Sequence, residues 1–106
     1  MLDYGTNSAG SRNTFIVDGS RSLRFLSGGT NGNLPASSTT IQAGVWTHVA
    51  FVLNNETGFT YINGVQVSTG NLSGVNTPTG NANVTIGERV SGGSIPFEGK
   101  IDEVRI

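Results

Sequence analysis

Cysteine is absent from the 106 residues, and that absence removes two chemistries at once. No disulfide can staple the fold and no thiolate can hold zinc, so a packed interior must supply the stability. Charge is also scarce: six basic and seven acidic residues leave a formal net charge of −1 and only 12% of the chain charged. The Lys and Arg residues are scattered, so no basic patch exists to neutralise phosphates, and nucleic acid is not an expected partner. No run of about 18 apolar residues occurs, so no membrane insertion is expected. Met1 is followed closely by Asp3 and Tyr4, without a basic and then an apolar stretch, so no secretory leader is expected in this sequence.

What remains is a composition suited to turns and short strands. Sixteen Gly and many Ser, Thr and Asn separate brief segments of Val, Ile, Leu and Phe. A chain of this length buries roughly 65% of its unfolded surface, enough for one core. No repeat or linker divides it, so one domain over residues 1–106 is expected. Helical spacing of apolar residues is nowhere sustained, whereas the strand template recurs. Segments 13–18 and 22–27 flank Gly19-Ser20-Arg21 as a hairpin, with Leu23, Phe25 and Ser27 on one face and Arg24 and Leu26 on the other. A weaker strand is expected at 37–42 and the strongest at 45–54. Asn63-Gly64 is the pair favoured for a two-residue hairpin turn, so 58–62 and 65–69 should pair antiparallel. Further strands are expected at 83–88 and 97–106. In the last, Ile101 lies on one face and Val104 and Ile106 on the other, so either both faces are covered or a bulge at Asp102-Glu103 resets the phase. Short strands at this spacing predict an all-β antiparallel sandwich or barrel.

Four stretches, in order, carry a resemblance. These are Gly44-Val45-Trp46-Thr47-His48-Val49-Ala50, Tyr61-Ile62-Asn63-Gly64-Val65, Ile86-Gly87, and the closing run from Phe97 to Ile106. Together they resemble the laminin-G-like domains of the concanavalin A-like lectin/glucanase superfamily, closely over 40–106 and loosely before. The resemblance implies a jelly-roll β-sandwich in which Trp46, His48, Asn63, Gly64 and Ile101 are architectural. Domains of that kind start with further strands before the position of Met1 and continue past that of Ile106. The chain is therefore expected to be a minimal version, or to have open sheet edges. Open edges carry unpaired N–H and C=O groups that invite a second copy, so a homodimer is expected.

Candidate functional residues follow from the same segments. Trp46 and His48 share a strand face, and the opposite face is apolar too, so the strand is expected to be central and the pair to line the core. The alternative is an indole platform for a sugar ring, with His48 donating a hydrogen bond. His48 has no second His or Cys to share a metal, and no Ser sits in a nucleophile elbow. Hydrolytic members of the superfamily carry three alternating acids, whereas the matching phase here reads Glu98, Lys100, Asp102. Lys100 would pair with its neighbours and hold their pKa values down, when an acid catalyst needs its own raised, so no enzyme is expected. No cofactor is required. Calcium is the one candidate, held by Asp102 or Asn54 with loop carbonyls. Loop residues Asn7, Asn31, Asn33, Asn76, Asn81 and Arg89 offer amide and guanidinium groups for a ligand, although turns need the same residue types. Asn55, Asn71 and Asn83 head glycosylation sequons of the sort this composition produces by chance. The expected function is a non-catalytic module binding a glycan or an extracellular protein through loops or a sheet face. The alternative is an assembly module that joins copies of itself. Low charge with abundant Ser, Thr and Asn suits an extracellular or virion setting.

Overall fold

The computed structural model describes residues 1–5, 12–27, 33–73, 83–89 and 95–106, and every regular element among them is a β-strand. The strands are β1 (Leu2–Gly5), β2 (Arg12–Val17), β3 (Leu23–Ser27), β4 (Val49–Asn54), β5 (Thr57–Ile62), β6 (Val65–Asn71), β7 (Val84–Ile86), β8 (Glu88–Arg89) and β9 (Ile95–Pro96). They form a four-stranded sheet in the order β3-β2-β1-β7, a three-stranded sheet in the order β4-β5-β6, and the small β8–β9 ribbon, all antiparallel. The expected antiparallel sandwich is the architecture observed.

Local chemistry sets the turns. Asp18 closes the β2–β3 hairpin: its carboxylate accepts the Ser20 and Ser22 amides at 2.9 and 3.0 Å. That grip holds Arg21 at a φ of 62°, a left-handed conformation that an Arg adopts only under constraint. Asn63 and Gly64, at φ 49° and 79°, make the β5–β6 turn. Asn63 also ties that turn to the chain before β4, where its side-chain oxygen accepts the His48 amide at 2.9 Å and its own amide donates to the His48 carbonyl at 2.8 Å.

The alternation of β3 puts Leu23, Phe25 and Ser27 inside. One core cluster joins Leu23, Ile62 and Val67; a second joins Phe25, Leu34 and Leu72. Phe51 stacks on Phe25 with ring centres 4.0 Å apart and meets Phe15 at 6.1 Å, which locks the two sheets face to face. One side of the sandwich is closed by residues 34–41. Their amides donate to β3 (Leu34 to Phe25, Ser37 to Leu23) and to β6 (Ser38 to Val67), each at 3.0 Å. Leu34, 1% exposed, fills the space beneath. Segment 37–42 is thus an edge cover with a single bridge, Ser22 to Thr40, rather than the expected strand.

Among the described residues, the other side is open. Phe51 of β4 packs on Phe15 of β2 and Phe25 of β3, so β4 lies over β2 and β3, and β1 and β7 project beyond it. Register places Leu2, Tyr4, Val84 and Ile86 on the same inward face as Phe15, yet Val84 and Ile86 are each 49% exposed. The wider sheet therefore carries an apolar shelf that no strand of the narrower sheet covers among the described residues.

Three expectations fail here. The strand expected at 45–54 begins only at Val49 and lies at a sheet edge, not the centre. Trp46, expected in the core, is 69% exposed, and His48 is exposed as well. Pairing of β4 with β5 runs from Asn54–Thr57 to Val49–Ile62, and the Asn63-Gly64 turn then carries the chain away. His48 is held by Asn63, and residues 45–47 overshoot the end of the hairpin with no strand beside them among the described residues. Segment 97–106 forms no strand, since β9 ends at Pro96, and Ile101 is 39% exposed rather than a core residue. Glu103 breaks the extended path at φ 51°.

Candidate functional site

The overshoot creates a groove at the end of the sandwich. It encloses about 490 Å³ between residues 41–46 on one wall and 97–100 on the other, with Val17 and Arg21 completing the lining. Each part has a local cause. Gly44, at φ 77°, turns the chain so that Val45 and Trp46 face outward, 61% and 69% exposed. The Asp18 turn presents Arg21, whose carbonyl is anchored by the Ile41 amide at 2.8 Å. The opposite wall is positioned by the Phe97 amide, which donates to the Gly87 carbonyl at 2.7 Å.

Chemically the groove combines one broad aromatic face with Arg21, Gln42, Glu98 and Lys100. The side chains of Arg21, Glu98 and Lys100 are in no ion pair among the described residues, so donors and acceptors of both signs remain open to a ligand. An apolar platform bordered by a few polar groups is the usual composition of a small-molecule or saccharide site.

A laminin-G-like family model, described as the concanavalin A-like lectin/glucanases superfamily, matches residues 2–106. The chain is a laminin-G-like domain of that superfamily. Comparison with curated proteins and comparison with solved structures each returned no match. Laminin-G-like domains are commonly non-catalytic binding modules, while the wider superfamily also includes glycosidases.

The residues expected to bind ligand are dispersed in this laminin-G-like domain. Asn7, Asn31, Asn76 and Asn81 lie outside the described residues. Asn33 is engaged in the fold, its side-chain oxygen accepting the Ser27 amide at 3.0 Å. Arg89 lies half-buried in β8, away from the groove lining, and its Nε finds no partner there. Of the two proposed calcium ligands, Asn54 ends β4 opposite Thr57, and Asp102 accepts the Glu103 amide at 2.8 Å. No cluster of three or more His, Asp or Glu able to hold a metal occurs among the described residues.

Sequence reasoning missed Arg21, Gln42 and Lys100 as groove residues. One signal could have revealed the groove. With two-residue loops at 55–56 and 63–64, β5 has only residues 57–62 to offer β4, so 45–47 extend beyond the reach of β5. The exposure of Trp46 follows from that count.

Proposed function

We propose that this laminin-G-like domain is a non-catalytic recognition module and that the Trp46 groove binds a saccharide. The observation that carries the reading is an indole 69% exposed on the wall of a 490 Å³ groove that also presents Arg21, Gln42, Glu98 and Lys100. Leaving the largest aromatic side chain in water wastes apolar burial, and a sugar ring laid on it recovers that burial. The amide and charged groups around it match sugar hydroxyls with both donors and acceptors. The non-catalytic half of the reading rests on the segment holding Glu98, Lys100 and Asp102. It is an exposed, unpaired stretch rather than a strand aiming three acids across a sheet face, and its middle position is a cation.

The only Trp in the chain makes the test direct. Titration with a panel of neutral and uronate-containing oligosaccharides should shift the indole emission and shield it from acrylamide. Trp46→Ala should weaken binding, measured by calorimetry, by about 10-fold or more, the loss of one stacking contact. An indole equally quenched with and without every oligosaccharide would refute the assignment. Release of reducing sugar would refute the non-catalytic half.

A further inference from the structure

Given the saccharide reading, on which this depends, we propose that the groove selects an acidic sugar and that Arg21 selects it. Its guanidinium pairs with the carboxylate of a uronate whose ring lies on Trp46.

Arg21 stands where folding alone would place a glycine. The β2–β3 loop is Gly19-Ser20-Arg21, closed by the Asp18 amide on the Ser22 carbonyl at 2.9 Å and by the Arg21 amide on the Asp18 carbonyl at 2.8 Å. It is a three-residue hairpin loop, in which a tight turn is followed by one left-handed residue, and glycine takes that last position without strain. Arg21 occupies it at φ 62°, whereas Gly19 sits two residues earlier at a position that is not left-handed. The left-handed turn residues Asn55 and Asn63 are of a type that tolerates the conformation; an Arg is not.

Nothing in the fold accounts for that choice. The backbone bonds of position 21, to Asp18 and from the Ile41 amide at 2.8 Å, need no particular side chain. The Arg21 side chain is in no ion pair among the described residues, and the Asp18 carboxylate faces Arg24 at 3.9 Å instead. Backbone strain of this kind is retained where a side chain serves a site, and the site that Arg21 borders is the Trp46 groove.

Charge then names the class of sugar. The groove lining holds Arg21 and Lys100 against Glu98, a local excess of one positive charge in a chain of net charge −1. One carboxylate balances it, and the planar guanidinium meets a carboxylate with two parallel N–H···O bonds. Glu98 accepts sugar hydroxyls and repels a sugar bearing several sulfates. Because the backbone of Arg21 is held on both sides, its guanidinium starts from a fixed base and loses less freedom on binding.

The test compares a tetrasaccharide of alternating glucuronate and N-acetylglucosamine with the same chain after reduction of its carboxylates to alcohols, both read by indole emission. The acid form should bind about 10-fold or more tighter, and that preference should shrink as sodium chloride is added. Exchanging the two residues, Gly19→Arg with Arg21→Gly, keeps composition and charge, and a side chain at position 19 meets nothing within 4 Å. The exchanged variant should lose the preference and raise the urea midpoint by about 0.5–1 M, as the left-handed strain is relieved. Arg21→Gln, which keeps the strain and removes the charge, should lose the preference at an unchanged midpoint. Acid and reduced forms bound alike would overturn the selection and leave the saccharide reading standing; an indole that no saccharide shifts would remove both. A preference that survives the exchange, or a midpoint that falls, would show that Arg21 serves the turn and not the ligand.

Discussion

Gly58 offers a sharp test of how the core is assembled. It points inward from β5, opposite Gly70 of β6, and Leu34 and Leu72 lie across the two bare backbones. A methyl group built on Gly58 would overlap Leu72 Cδ1 outright and stand 3.1 Å from its Cγ and 3.2 Å from Leu34 Cδ1. Neither leucine can yield, for they are 2% and 1% exposed in one cluster with Phe25. Overpacking of this kind costs about 1–3 kcal/mol, and the reduced freedom of Ala in the unfolded chain returns about 0.4–1 kcal/mol. Gly58→Ala should therefore destabilise by about 1–2 kcal/mol. Two further glycines scale the effect. At Gly70 the added methyl would meet Leu34 Cδ2 at 3.1 Å and Pro35 Cδ at 3.5 Å, whereas at Gly19 it would meet nothing within 4 Å. Gly70→Ala should cost less than Gly58→Ala, and Gly19→Ala should be neutral or slightly stabilising. Urea unfolding followed by circular dichroism is the assay, because an exposed Trp46 reports poorly on the transition. At a slope of about 1–2 kcal/mol per molar urea, the Gly58→Ala midpoint should fall by about 1 M. Equal midpoints for the Gly58 and Gly19 variants would show that Leu34 and Leu72 do not pack across β5 as described.

Two other residues give independent checks by the same unfolding assay. Thr60 is fully buried and its hydroxyl has no partner, so Thr60→Val should raise stability by about 1 kcal/mol, the cost of an unsatisfied polar group removed; a loss of stability would mean the hydroxyl is bonded. Asn63→Ala removes the acceptor of the His48 amide and places Ala at φ 49°, costing about 1–3 kcal/mol, while Asn63→Gly should recover the conformational part and leave only the lost hydrogen bond.

The hairpins were legible in the sequence because their signals are local. Asn63-Gly64 demands positive φ at both positions, Asp18 reaches its own turn amides, and alternation in Leu23-Arg24-Phe25-Leu26-Ser27 sorts one face from the other. The strand β1 went unread, since Leu2–Gly5 is short and gains its meaning only between β2 and β7. The Trp46 groove went unread for a related cause. A periodic apolar pattern says that a segment can be a strand, but not whether a neighbour reaches it.

Residues 45–48 and 101–106 carry sound strand patterns, and neither joins a strand among the described residues. By itself, then, the sequence determined the class of the fold, the turns and the sorting of side chains within each hairpin. These depend on contacts between residues close along the chain. Only the tertiary structure decided which sheet is wider, which edge is bare and which aromatic meets water. Those depend on how far one sheet extends over the other, a distance that no local pattern encodes.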